Sequence, residues 1–243
     1  MLANQLLTRH SDMITVHHLN NSRSQRVLWL LEELKLEYQV KRYERDPKTM
    51  LAPPELKAVH PLGKSPVITE EGITVAESGA IVEYLLDRHG ERPRVPALRP
   101  AAGTPERLRF TYWLHYSEGS AMTPLLLALI FGRLPKAPMP FFAKPVARAV
   151  AAGAMKSFIN PQINAHLDFM EAELTKSEWF AGSHFSAADI QMSFPLEAAA
   201  SRGGLGSDTT AKRPKLIAFL ERIHARPAYQ RALKAGGPYE LLR

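Results

Sequence analysis

No cysteine occurs anywhere in the 243 residues. That absence excludes disulfides, cysteine nucleophiles, thiol redox pairs and thiolate metal sites, and it is compatible with a cytoplasmic chain. Long apolar runs are missing too: no stretch approaches the ~20 residues that span a bilayer. The opening residues, Met1 to His10, lack the charged start and extended apolar core of a secretion signal. Nine histidines are dispersed with no H-x-x-x-H spacing, so no metal is expected. The formal charge is +7, yet the basic residues look scattered: Arg88, Arg92, Arg94 and Arg99 near mid-chain, then Lys212, Arg213, Lys215, Arg222, Arg226 and Arg231. They read as solvated helix faces, and neither nucleic acid nor a membrane is expected as a partner.

What is present is the composition of a globular protein, 45% apolar and 23% charged, long enough for two domains. Residues 1–12 show no period and are expected to be a flexible lead. Met13–Leu19 alternates and is β-branched, a strand. Val27, Leu30, Leu31 and Leu34 recur at helical spacing. Tyr38–Tyr43 is a second strand, and Pro53-Pro54 can open a short helix. Pro66–Thr69 and Ile73–Val75 flank a Glu70-Glu71-Gly72 turn, an antiparallel hairpin. Ala80, Ile81, Tyr84 and Leu85 form a helix face ending near Gly90. Residues 13–90 thus predict a βαβαββα domain. The proline-rich 91–105 reads as a linker. Strand signals then vanish, and helical patterns over 106–131, 141–176, 186–200, 212–225 and 227–235 predict an all-helical domain over 106–243. A loop is expected at Gly203–Asp208. Pro195 predicts a kink or an early stop in its helix.

Two motifs carry chemistry. The first, Asn20-Asn21-Ser22-Arg23-Ser24-Gln25-Arg26, sits at a strand-to-helix turn. The second, His60-Pro61-Leu62-Gly63-Lys64-Ser65-Pro66, precedes a Glu77-Ser78 helix start. Hydroxyls at two helix N-termini suit a small anionic peptide. Any of these serines can also be a plain helix cap.

The runs SRSQRVLWLLEEL, APPELKAVHPLGKSPVI, ESGAIVEYL and WFAGSHFSAADI, in this order and spacing, resemble the cytosolic glutathione transferases. The likeness is to the serine-type, theta-like fungal and bacterial members. It implies a thioredoxin-like domain followed by a helical domain, with a cleft between them. It also implies reduced glutathione as co-substrate rather than tightly bound cofactor, and a homodimer in the cytoplasm. The expected reaction is attack of the glutathione sulfur on a hydrophobic electrophile or an organic hydroperoxide. The alternative is a non-catalytic assembly or binding module of the same fold.

A free thiol ionises near pH 8.5, and lowering that by two units takes about 2.7 kcal/mol of preferential stabilisation of the anion. The resemblance places the stabilising hydroxyl at Ser22, with Ser24 and Asn21 as alternatives. No tyrosine occupies the turn, and the lack of cysteine excludes the cysteine-type members and their deglutathionylation chemistry. Ser65-Pro66 matches the family's cis-proline turn. Lys64 is expected to meet the glycyl carboxylate, and Glu77 and Ser78 to grip the γ-glutamyl end. Tyr112, His115, Tyr116 and Gly119 are expected to share one helix face as the electrophile pocket, with Trp113 in the core. The 134–145 segment is expected to roof that pocket or join a subunit contact. Ser186 and Asp189 form a capping box and are expected to serve folding. Arg23 and His60 lie near these motifs without an assigned role.

Overall fold

The computed structural model describes residues 13–93, 95–201 and 213–242; the expected lead at 1–12 and the expected loop at 203–208 lie outside them. The first half runs β1 (Ile14–Leu19), α1 (Ser24–Glu33), β2 (Tyr38–Tyr43), α2 (Glu55–Val59), β3 (Val67–Glu70), β4 (Ile73–Ala76) and α3 (Ser78–His89), the order read from the sequence. The strands form one sheet in the order β2-β1-β3-β4. β1 and β2 pair in parallel from Ile14–Tyr38 to Leu19–Tyr43, while β3 runs antiparallel to both β1 and β4. Parallel neighbours need a crossover, and α1 is that crossover.

The second half is helical: α4 (Pro105–Tyr116), α5 (Met122–Arg133), α6 (Lys144–Ala154), α7 (Asn160–Lys176), α8 (Ala187–Ser201), α9 (Pro214–His224) and α10 (Pro227–Gly236). Thr104 caps α4, its hydroxyl accepting from the Arg107 N–H at 3.2 Å, with Pro105 in the first turn. Two π-helical turns, Ser117–Ala121 and Met155–Ile159, join α4 to α5 and α6 to α7.

One core crosses both halves. Val27, Leu28, Trp29, Leu30 and Leu31 of α1 are wholly buried, so α1 is wrapped on every side rather than amphipathic. Trp29 meets Tyr229 of α10 edge-on with ring centroids 5.0 Å apart. Arg226 grips Glu33 through two bonds of 2.6 and 2.9 Å, and Arg231 reaches Glu32 at 2.6 Å. These contacts fix the helical half against α1, and the turn that opens α1 carries the first sequence motif.

Asp189 anchors α8 as the capping pattern predicts. Its carboxylate accepts from the Ser186 N–H (2.8 Å), the Ser186 hydroxyl (3.1 Å) and the Phe180 N–H (2.9 Å). Burial pushes its pKa up to about 6 against those hydrogen bonds. The early stop expected at Pro195 does not occur, since α8 continues to Ser201. Proline has no N–H for the carbonyl four residues back. That carbonyl, of Gln191, instead accepts from Arg26 Nη1 at 2.7 Å and from the Ser117 hydroxyl at 2.7 Å.

Candidate active site

Three chain turns converge at one end of the sheet, after β1, before β3 and after β4. The Ser65–Pro66 bond is cis. The Ser65 hydroxyl donates to the His17 carbonyl (2.8 Å) and accepts from the Leu19 N–H (3.3 Å), which ties this turn to the end of β1. Glu77 holds φ 70° and ψ 123°, a conformation that costs a non-glycine residue about 1–3 kcal/mol and persists where the surroundings enforce it. It delivers Ser78 to the N-terminus of α3, where unpaired N–H groups and the helix dipole favour an anion. A groove of about 240 Å³ runs between these turns, lined by Lys64, Ser65, Pro66, Glu77 and Ser78 together with Arg23, His60 and Glu118.

Behind Ser78 lies a charged cluster that sequence reading missed. Arg26 is 1% exposed. Its Nη2 donates to the Ser78 hydroxyl at 3.0 Å and to Glu118 at 2.5 Å, and its Nη1 to Ser117 at 3.3 Å and the Gln191 carbonyl. Arg23 reaches the same Glu118 carboxylate from the groove side at 2.8 and 2.9 Å. Phe194 lies under both guanidinium groups, 4.9 and 5.3 Å from its ring centre. Burial alone would raise the Glu118 pKa, but Arg26 and Arg23 outweigh it and hold the carboxyl below its ordinary value. A guanidinium only donates, so Ser78 accepts from it. The Gln191 side-chain N–H, at 3.2 Å, takes the other lone pair. The Ser78 proton is thereby left for a ligand in the groove. Two signals for this cluster were legible: an arginine on the otherwise apolar face of α1, and a proline four residues after Gln191.

Ser22 is 4% exposed, and its hydroxyl turns inward. Its Oγ lies 2.7 Å from that of Ser24, which lies 2.8 Å from His18 Nδ1. His18 is buried and neutral, its pKa pulled down to about 4 by burial and then by Arg42, against a hydrogen bond to the Gly236 backbone. Ser24 Oγ also lies 3.4 Å from the Leu19 carbonyl, so the Ser24 proton has two acceptors in reach, and either serine can donate to the other. A bound sulfur receives a hydrogen bond from Ser22 only with the Ser22 proton directed away from Ser24.

The four residues expected to form the electrophile pocket fall into two pairs. His115 and Gly119 line a second cavity, about 480 Å³, which shares Glu77, Ser78 and Glu118 with the groove. Tyr116 is buried, its hydroxyl 2.5 Å from His166 Nδ1 of α7, and Tyr112 stacks on it at 5.5 Å. The four residues lie along one arc of α4 and the π-helical turn after it, but Tyr112 and Tyr116 meet α7, while His115 and Gly119 face a cavity whose far wall is α3. Trp113 is buried as expected. The second cavity is walled by Glu83, His115 and Glu118 as well as Gly79, Ala80 and Leu114, a lining more apolar than polar.

Comparison with known proteins bears on this site. Residues 11–87 match the profile described as glutathione S-transferase, N-terminal domain, and residues 152–227 that of the C-terminal domain. The chain is 38% identical to glutathione S-transferase 3 of Schizosaccharomyces pombe over 77% of this chain and 74% of that one. It is 37% identical to glutathione S-transferase 1 of Saccharomyces cerevisiae over 78% and 82%. Among solved structures, a glutathione S-transferase from Actinobacillus pleuropneumoniae superposes with a TM-score of 0.75 at 36% identity, covering 95% of this chain and 96% of that one. A sphingomonad glutathione S-transferase complexed with glutathione gives 0.68 at 25% identity, covering 92% and 98%.

Proposed function

The chain belongs to the glutathione S-transferase family, and we propose that reduced glutathione occupies the groove between the cis-proline turn and the α3 N-terminus. The observation that carries this reading is the meeting of Lys64, Ser65, cis-Pro66, Glu77 and Ser78, scattered in sequence, along one groove. In it the backbone of Ser65 pairs with the peptide as an added strand. Ser78, with its free proton, and the α3 N-terminus receive the γ-glutamyl carboxylate. Glu77 meets the α-ammonium group, and Lys64 the glycyl carboxylate. Arg23 and His60 complete the wall.

The chemistry is that of a glutathione transferase. The glutathione sulfur loses its proton to solvent, forms a bond to carbon or oxygen of an electrophile, and the electrons of the broken bond leave with the displaced group. Displacement at carbon completes conjugation in this step; with a hydroperoxide the attacked oxygen stays on the sulfur, the alkoxide takes a proton and leaves as the alcohol, and a second glutathione thiol displaces that oxygen as water to give the disulfide. We assign Ser22 as the hydroxyl that steadies the sulfur anion, in the serine-type manner. Its rotation away from Ser24 accompanies thiol ionisation. The relatives are named as transferases, which favours this reading over an assembly module. A homodimer in the cytoplasm accompanies it as the family's usual state.

The test is calorimetry with reduced glutathione, followed by titration of the bound thiolate absorbance in the native protein and in Ser22→Ala. The native protein should bind and ionise the thiol near neutral pH. Ser22→Ala should bind within a few fold but ionise about one to two units higher, the value of one charge-assisted hydrogen bond. No heat of binding would refute the groove assignment, and an unchanged titration would refute the role of Ser22.

A further inference from the structure

Most of the protein's excess positive charge lies outside the transferase groove. From Gly119 to Leu167 the chain carries no Asp or Glu and five cations, Arg133, Lys136, Lys144, Arg148 and Lys156, against a formal net charge of +7 for the whole. All five are exposed. None has an ion-pair or hydrogen-bond partner for its side chain among the described residues, whereas Arg88, Arg99, Arg109 and Arg231 elsewhere each face a carboxylate. The basicity that looks scattered in sequence is, in effect, concentrated on the α5–α6 hairpin and the π-helical turn that follows it.

The same hairpin exposes apolar side chains. Its apex consists of two short 3-10 turns, Leu134–Lys136 and Phe141–Ala143, stiffened by Pro135, Pro138, Pro140 and Pro145. Phe141 is 83% exposed and Phe142 70%, their rings set edge to face 5.8 Å apart. Val146 and Val150, one turn apart on α6, and Ile130 on α5 are exposed on the same hairpin. Single exposed apolar residues need no explanation, but a cluster of this kind marks an interaction surface.

We propose that this hairpin docks on an anionic lipid surface, the two phenylalanines entering the acyl boundary and the five cations meeting the headgroups. Aliphatic and aromatic side chains beside unpaired cations, with no acidic residue among them, match a surface that is apolar beneath and negative above. Valine and isoleucine gain nothing from nucleic-acid phosphates. A second copy docked apex to apex would set the same five cations against each other. No helix among the described residues is long and apolar enough to cross a membrane, so the contact is peripheral. The prolines hold the apex in shape before contact, which lowers the ordering cost of insertion.

The experiment is co-sedimentation of the full chain with vesicles of phosphatidylcholine alone and of phosphatidylcholine with phosphatidylserine, across a salt series. Binding should appear on the anionic vesicles only and weaken as salt rises. Each cation near the surface contributes roughly fivefold to partitioning. Lys136→Glu/Lys144→Glu should therefore reduce binding by well over tenfold, and Phe141→Ser/Phe142→Ser by at least as much. Circular dichroism and glutathione binding should stay unchanged in both. Absence of binding to either vesicle, or equal binding to both, overturns the proposal. So does a self-association seen by light scattering that the phenylalanine variant abolishes, or an equally tight, phenylalanine-independent hold on RNA or an acidic peptide.

Discussion

Pro195 and Arg26 lie far apart in sequence, yet they are coupled through a single carbonyl oxygen. Arg26→Ala removes a buried cation that serves Gln191, Ser117, Ser78 and Glu118. Loss of one member of a buried pair costs about 3–5 kcal/mol, and the low end applies here because Glu118 keeps Arg23. Pro195→Ala restores an amide proton facing the Gln191 carbonyl. In the native background that oxygen already accepts two bonds, so the new amide gains little from it. In the Arg26→Ala background one of the two donors is gone, and the amide takes its place. A net hydrogen bond is worth about 0.5–1.5 kcal/mol. Pro195→Ala should therefore be more stabilising, by about 1 kcal/mol, in the arginine variant than in the native protein. Urea denaturation of the native protein, both single variants and the double variant measures that difference directly. Free energies that add to within about 0.3–0.5 kcal/mol would refute the shared-carbonyl account.

Two further predictions concern the groove and the interior. Ser78→Ala should weaken retention on immobilised glutathione by about tenfold, the value of one hydrogen bond to a charged group; unaltered retention counts against the γ-glutamyl role. The stability of Asp189→Asn should depend on acid differently from that of the native protein. Asp189, raised to about 6, holds its proton in the folded state, so it lowers stability as pH rises from about 4 to 6. His18, lowered to about 4, resists protonation when folded, so it raises stability over nearly the same interval. Each amounts to about 3 kcal/mol, and the two oppose. Removing the aspartate's titration should leave stability rising steeply between pH 4 and 6 in chemical denaturation, and a curve parallel to the native one would contradict the assignment.

The sequence by itself determined the element order and the change from mixed to helical architecture. Both are local: alternation in β1, apolar spacing in α1 and the capping box at Ser186 each act within a few residues. The three turns of the groove were marked by the likeness to the glutathione transferases rather than by residue type, since a Ser-Pro pair is seldom cis and a serine at a helix start can be a plain cap. What only the tertiary structure decided is who meets whom. Arg26 reads as an interruption of an apolar face until Glu118, Ser117 and Gln191 arrive from the helical half. Pro195 reads as a stop until a guanidinium fills the bond it cannot make. The arc of Tyr112, His115, Tyr116 and Gly119 divides because α7 covers the two tyrosines and leaves His115 and Gly119 on a cavity. In each case the deciding atom is distant in sequence, and only packing brings a buried donor and its acceptor within 3 Å.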